Sequence, residues 1–173
     1  MRRLLPFLLP LLALAQAPLA VEGEARYRGY YPLGSWEGRN PTARGEVVWQ
    51  GEEASGRVCL EQEAWDSGNA ERDKKAREIL RVKDFPRACL YPRVARLEGT
   101  RFVVEGELEL AGRRRAVRIE GELLEVPGGY RFRGNFRTRF SEWGLERPRF
   151  LFLEVRDEAE VYLEAQVRRQ NVR

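Results

Sequence analysis

Histidine is absent from this 173-residue sequence, cysteine occurs twice and methionine once. Without histidine there is no Ser-His-Asp or Cys-His nucleophile and no histidine-held zinc, and two cysteines alone cannot close a thiolate metal site. Long apolar runs are scarce as well. The longest, Leu4 to Leu14, falls short of the roughly 20 residues that span a bilayer and is broken by Pro6 and Pro10. An excess of one charge is also lacking, since 31 basic residues stand against 27 acidic ones for a net +4. A phosphate-binding surface needs a concentrated basic face. These absences argue against a metalloenzyme, a nucleic-acid partner and a membrane-spanning helix in the mature protein.

The N-terminus has the outline of a signal peptide: Met1-Arg2-Arg3, the apolar run, then small residues at Ala13, Ala15 and Ala17. Cleavage after Ala15 keeps alanine at both recognition positions, whereas cleavage after Ala17 would place Pro18 directly downstream. Residues 1–15 are therefore read as a leader and residues 16–173 as one exported domain, periplasmic or secreted. Losing Arg2 and Arg3 with the leader leaves 29 basic residues against 27 acidic ones. The remaining length suits a single core.

Most of that domain alternates apolar and polar residues with period two, as strands with one buried face do. Glu24 to Tyr31 reads as a first strand, and the Gly-, Asn- and Pro-rich stretch from Gly34 to Gly45 as a loop in which Trp36 plugs the core. Strands follow at Glu46 to Gln50 and Ser55 to Glu63, with Val58 and Leu60 inward and Cys59 among the charged residues. Later rows place Phe102, Val104, Gly106, Leu108 and Leu110 inward, then Val117, Ile119 and Leu123, then Tyr130, Phe132, Phe136 and Phe140, then Ala159, Val161, Leu163, Ala165 and Val167. Arg131, Arg133, Arg137 and Arg139 face outward and are expected to ladder against Glu120 and Glu122. About eight antiparallel strands with one apolar face each require closure, as an all-β barrel or a sandwich. The lone helical stretch favours the barrel.

That stretch lies between Trp65 and Pro92. Asp66, Ser67 and Asn69 are N-cap candidates, Glu71 and Asp73 suit a first turn, and Arg77 and Arg81 suit a last turn. Glu71 with Lys75 and Asp73 with Arg77 have the spacing of helical ion pairs. Only Ala70, Ala76, Ile79 and Leu80 form an apolar stripe, so the helix is expected to be short, mostly solvated, and laid across one end of the barrel. Cys59 and Cys89 lie on the strands that flank it, and in an oxidising compartment a bridge between them is expected to contribute roughly 2–4 kcal/mol.

The strand carboxylates point outward, where they cannot be desolvated and tuned for acid-base work. No nucleophile stands beside a base, so no enzymatic activity and no cofactor is expected. A barrel of this size either fills with side chains or holds one small apolar ligand; the pattern alone leaves both open.

The order of several motifs resembles the YceI-like family of exported, polyisoprenoid- or lipid-binding proteins. They are Asp66-Ser67-Gly68-Asn69, Arg72-Asp73, Phe85-Pro86, the hairpin Gly106-Glu107-Leu108-Glu109-Leu110-Ala111-Gly112, and Trp143-Gly144-Leu145 with Pro148. The resemblance implies an eight-stranded, lipocalin-like antiparallel barrel whose apolar pore holds a long-chain isoprenoid or similar amphiphile. Pore-lining candidates on that basis are Val58, Leu60, Leu90, Phe102, Val104, Leu108, Val117, Ile119, Phe132 and Phe136. Family members often carry histidine near the first strands and in the Gly-rich hairpin; this chain has Ala111 there and no histidine at all.

Overall fold

The computed structural model describes residues 17–170, so the leader reading of residues 1–15 lies outside the described residues. The strands are β1 (Leu19–Tyr31), β2 (Gly34–Gln50), β3 (Glu53–Glu61), β4 (Arg87–Glu98), β5 (Arg101–Leu110), β6 (Arg113–Val126), β7 (Gly129–Arg139), the two-residue β8 (Arg149–Phe150) and β9 (Leu153–Glu154), and β10 (Glu158–Arg169). The one α-helix among the described residues, α1 (Ala70–Ile79), connects β3 to β4. Eight strands close into an antiparallel barrel in the order β1-β10-β7-β6-β5-β4-β3-β2, and β8 and β9 form a separate small hairpin. Closure runs through β1 and β10, paired from Leu19↔Arg169 to Gly29↔Ala159.

One end of the barrel is solid. Ala95, Phe102 and Leu123 are buried there, packed with Trp49, Ala54, Val104, Tyr130 and Phe132. The aromatic rings meet edge-on, with centroids 5.5 Å apart for Trp49 and Phe102 and 5.7 Å apart for Phe102 and Phe132. Trp49 Nε1 donates to Ala95 O at 3.2 Å, which gives the indole its polar partner in an otherwise apolar plug. Gly134 marks the edge of this plug. A Cβ there would lie 2.5 Å from the Phe132 ring and 2.9 Å from Ile119 Cγ2, so the inward glycine exists for close approach.

The stretch expected to be a loop, Gly34 to Gly45, is instead the greater part of β2. Its glycines serve close approach rather than turns: a Cβ on Gly38 would sit 2.1 Å from the Tyr27 ring, and one on Gly45 would sit 2.0 Å from Arg57 O of the neighbouring strand. Pro41, which cannot donate to a ladder, falls where the β1–β2 register shifts between Gly23↔Ala43 and Ala25↔Asn40. Composition signalled a loop, and close ring packing overrode it.

Outside, the arginine row of β7 pairs with β10 and not with β6. Arg133 meets Glu164 at 3.6 Å, Arg137 meets Glu160 at 3.6 Å and Arg139 meets Glu158 at 3.8 Å. For Arg137 and Arg139 the cause is the sheet order, since β10 flanks β7 along its full length while β6 pairs with β7 only from Glu120↔Asn135 to Val126↔Gly129; Arg133 stands between Glu122 and Glu164 and pairs with Glu164. Beyond that point the two strands part and leave a seam of about 380 Å³ beside Val117, Phe136 and Trp143. A single 3-10 turn, Phe140–Trp143, stops the seam: Trp143 is 2% exposed, donates from Nε1 to Thr138 Oγ1 at 2.7 Å, and Arg115 Nη1 donates to Glu142 O at 2.8 Å.

The helix begins as its cap residues dictate, with Asn69 Oδ1 accepting from the Arg72 N–H at 3.0 Å. The ion pairs differ from expectation. Lys75 meets Glu78 at 3.8 Å, and Asp73 is buried, its two oxygens accepting from the Ser67 N–H at 3.0 and 3.1 Å. Asp73 therefore ties the helix to the incoming chain instead of decorating its surface. Cys59 and Cys89 are directly opposite in the β3–β4 register and are bonded. They are less exposed than their charged outer row, with Cys89 buried and Cys59 half-buried, because a bridge lying between two strands covers both sulfurs.

Candidate functional site

The other end of the barrel is hollow. A cavity of about 590 Å³ is walled by Ala25, Tyr27 and Tyr31 of β1, Val58 and Leu60 of β3, Ala88 and Leu90 of β4, Leu108 and Leu110 of β5, Val117 and Ile119 of β6, Phe136 and Thr138 of β7, and Ala159, Val161 and Leu163 of β10. Each strand supplies alternate residues, as one face of a pleated sheet must. Arg72, Lys75, Ala76 and Ile79 of α1 roof the mouth from one side, and Phe140, Leu145, Pro148, Leu153 and Val155 from the other. The helix thus spends its apolar stripe on this mouth.

Seven of the ten lining candidates, Val58, Leu60, Leu90, Leu108, Val117, Ile119 and Phe136, stand on this wall. The remaining three, Phe102, Val104 and Phe132, also point inward but belong to the packed end. Their rows are right and their level along the barrel is wrong. The sequence reading missed an aromatic collar at the mouth, made of Tyr27, Tyr31, Trp36 and Trp65. Trp36 stacks on Tyr31 at 6.0 Å between centroids, and Tyr27 lies edge-on to Trp65 at 5.2 Å. The Arg72 guanidinium sits 5.8 Å from the centre of the Trp36 ring. A signal for Trp36 was present, since it alternates with Glu37 and Ser35, but the surrounding glycines masked it.

Polar groups gather on the same side. Asn40 is fully buried; its Nδ2 donates to Glu61 O at 2.7 Å, and its Oδ1 accepts from the Thr42 N–H at 3.1 Å and from Thr42 Oγ1 at 2.6 Å. This knot fixes the end of β3 against β2. Tyr27 OH accepts from Trp36 Nε1 at 3.2 Å. Burial, with the Asp73 charge adding to it, raises the Tyr27 phenol above its ordinary range, so it stays neutral and keeps its proton. The charged side chains that border the cavity, Glu71, Arg72, Lys75, Arg139 and Arg149, all belong to the mouth. Chemically the site offers a deep apolar slot with a polar, aromatic entrance, and no described helix is long and apolar enough to cross a membrane.

The YceI-like domain family matches residues 21–167. The chain belongs to that family. Its fold is shared with solved structures at low identity. BcnA of Burkholderia cenocepacia aligns with a TM-score of 0.74 at 14% identity, over 83% of this chain and 95% of that one. A polyisoprenoid binding domain from Saccharophagus degradans, implicated in plant cell wall breakdown, aligns with a TM-score of 0.69 at 9% identity, over 90% and 100%. The Campylobacter jejuni YceI protein aligns with a TM-score of 0.64 at 14% identity, over 78% and 85%. No curated protein matches the chain. At these identities the solved structures speak for the barrel, and the family match speaks for membership.

Proposed function

We propose that this protein is an exported binding protein that holds one long apolar or amphiphilic chain, an isoprenoid or a similar lipid, in the hollow half of its barrel. The observation that carries the proposal is the cavity: about 590 Å³ walled almost wholly by aliphatic and aromatic side chains, within the roughly 300–1,000 Å³ of small-molecule sites. A barrel filled with side chains throughout would leave no such space. The polyisoprenoid binding described for the Saccharophagus domain agrees in chemical class. Export follows the leader reading of residues 1–15, and a periplasmic or secreted location would suit the bonded cysteines.

Binding is the whole of the proposed activity. Many of the carboxylates lie in surface ion pairs such as Glu105 with Arg118, and the buried one among the described residues, Asp73, is occupied by the Ser67 amide. Burial of a chain at about 25 cal/mol per Å² supplies the driving force without a specific charge. Native mass spectrometry of protein purified from its own host, paired with thermal melting in added isoprenoid, tests the proposal. Retained lipid mass and a raised Tm are expected; an unladen barrel whose Tm ignores isoprenoids would refute it.

A further inference from the structure

Gln62 is 1% exposed, borders the cavity, and leaves its Nε2 without a hydrogen-bond partner. Its amide orientation is fixed chemically. Oε1 accepts from Trp65 Nε1 at 2.7 Å, and an indole nitrogen only donates, so the end left over is the NH2. A buried donor with nothing to bind is costly and needs an explanation. The other buried orphan, Ser67 Oγ, is not on the cavity wall.

A second donor stands beside it. Tyr27 OH accepts from Trp36 Nε1, and its own hydrogen has no acceptor among the described residues. Tyr27 and Gln62 flank the same indole, since the Tyr27 ring lies 5.2 Å from Trp65 and Gln62 bonds to Trp65 directly. Burial keeps the phenol protonated, as described above. Two donors without acceptors therefore stand on either side of the Trp65 ring in an otherwise apolar wall, at the mouth end where β3 passes into its 3-10 turn Gln62–Ala64.

We propose that Gln62 Nε2, assisted by the Tyr27 hydroxyl, is a recognition point for an acceptor oxygen, of the ketone or ester kind, near one end of the ligand's chain. The proposal rests on the binding function above and adds to it. An all-hydrocarbon occupant would leave both donors unpaired, and a ligand offering only donors would leave them facing donors. An acceptor oxygen at the mouth also sets direction, with the tail running down toward the packed end.

The test uses two probes of equal chain length, 2-dodecanone and dodecane, titrated against the purified protein by displacement of a polarity-sensitive dye. In Gln62→Leu the ratio of the ketone Kd to the alkane Kd is expected to rise about tenfold or more, because the carbonyl enters the cavity unpaired, while dodecane binding stays within about twofold. Gln62→Glu retains the acceptor for Trp65 and replaces the donor with an acceptor, so it serves where Gln62→Leu does not fold; it is expected to raise the same ratio. Tyr27→Phe is expected to raise it by a smaller factor. An unchanged ratio in the Gln62 variants, or equal weakening of both probes, overturns the assignment and leaves the cavity function standing. Failure of the unaltered protein to bind either probe overturns both.

Discussion

Affinity is expected to rise with ligand chain length and to stop rising at a length that the barrel sets. Ala25 and Tyr31, both on the cavity wall, mark its depth along β1. The six-residue step between them, at about 3.4 Å per residue on a strand tilted by roughly 40°, gives a hollow about 15 Å deep. An extended hydrocarbon advances roughly 1.25 Å per carbon, given bonds of about 1.5 Å. About 12 chain carbons, or three isoprenoid units of four chain carbons each, therefore fill the depth. Each buried methylene contributes about 0.8 kcal/mol, which is a factor of ~4 in Kd.

A series of linear methyl ketones that brackets this length, measured by dye displacement, should gain affinity by that factor per carbon and then level off near 12 carbons. Beyond that length the tail meets the packed end, and each further carbon pushes the ketone end out between α1 and the segment that carries Leu145 and Pro148, where water reaches it. Ala88→Phe narrows the wall opposite Leu60 and is expected to move the plateau to shorter chains. A gain below about 1.5-fold per carbon would mean the chains are not buried at the usual ~0.8 kcal/mol per methylene. A plateau that stays put in Ala88→Phe would mean they are buried somewhere else. Either result refutes the reasoning.

Phe132→Ala should cost about 3 kcal/mol in urea unfolding because Phe132 belongs to the packed end, whereas Val117→Ala on the cavity wall should cost about 1 kcal/mol; equal losses would erase the distinction between the two ends. Loss of the disulfide in the Cys59→Ser, Cys89→Ser double variant frees a loop with a sequence separation of 30. By loop-closure entropy it should cost roughly 3.5 kcal/mol, and a loss below about 1 kcal/mol would contradict that account. Asn40→Ala strands Glu61 O and the Thr42 N–H, both held by that side chain; a loss of about 2–3 kcal/mol is expected, and one under about 0.5 would show that water replaces the amide. Asp157 accepts from the Ser141 N–H and hydroxyl, and these bonds hold its carboxyl below its ordinary 3.8. A carboxyl lowered in the fold contributes stability above its unfolded value and loses it as pH falls through the folded one. Trp143 fluorescence should therefore change on acidification below pH 3.8, before global unfolding, and Asp157→Asn should abolish that early step.

Strand identity was legible because closure by antiparallel pairing demands one apolar face per strand, and the rows from Phe102 to Leu110 and from Ala159 to Val167 display that demand openly. The mouth was far less legible. Gly38 and Pro41 carry loop composition for reasons that appear only once the Tyr27 ring and the register shift are in place. Asp73 has the spacing of a surface ion pair with Arg77, yet the backbone turn at Ser67 brings an amide to it first. In both cases a local pattern with a common meaning was overruled by a neighbour that is distant in sequence or bent back upon it. Gln62 falls within the expected strand Ser55–Glu63 and continues the inward row of Val58 and Leu60, but a single polar residue at the end of a row carries no ligand signal, and in the structure it opens the 3-10 turn after β3.

The division of the barrel into a solid and a hollow half follows from a property that alternation does not encode. A period of two reports only whether a residue points in or out; height along the barrel depends on how neighbouring strands are staggered. Phe102 and Leu108 belong to one inward row of β5, yet Phe102 lies in the plug and Leu108 on the cavity wall. What differs is their company at each level. Near Phe102 the pairing brings Trp49, Tyr130 and Phe132 together, and their rings fill the barrel's cross-section. Toward the mouth the inward positions include Ala25, Ala88 and Ala159, too small to meet across it. A cavity in such a barrel is a run of levels at which no set of rings meets, and the register shows the alanines spread along that run, with Ala25 opposite Leu163, Ala159 opposite Gly29 and Ala88 opposite Leu60. Replacing those three alanines with leucines should therefore fill the hollow at several levels without disturbing the strand pattern at all; a triple variant that keeps its barrel circular dichroism and loses ketone binding would show that the pore is set by the size of these inward side chains, and one that still binds would show that it is not.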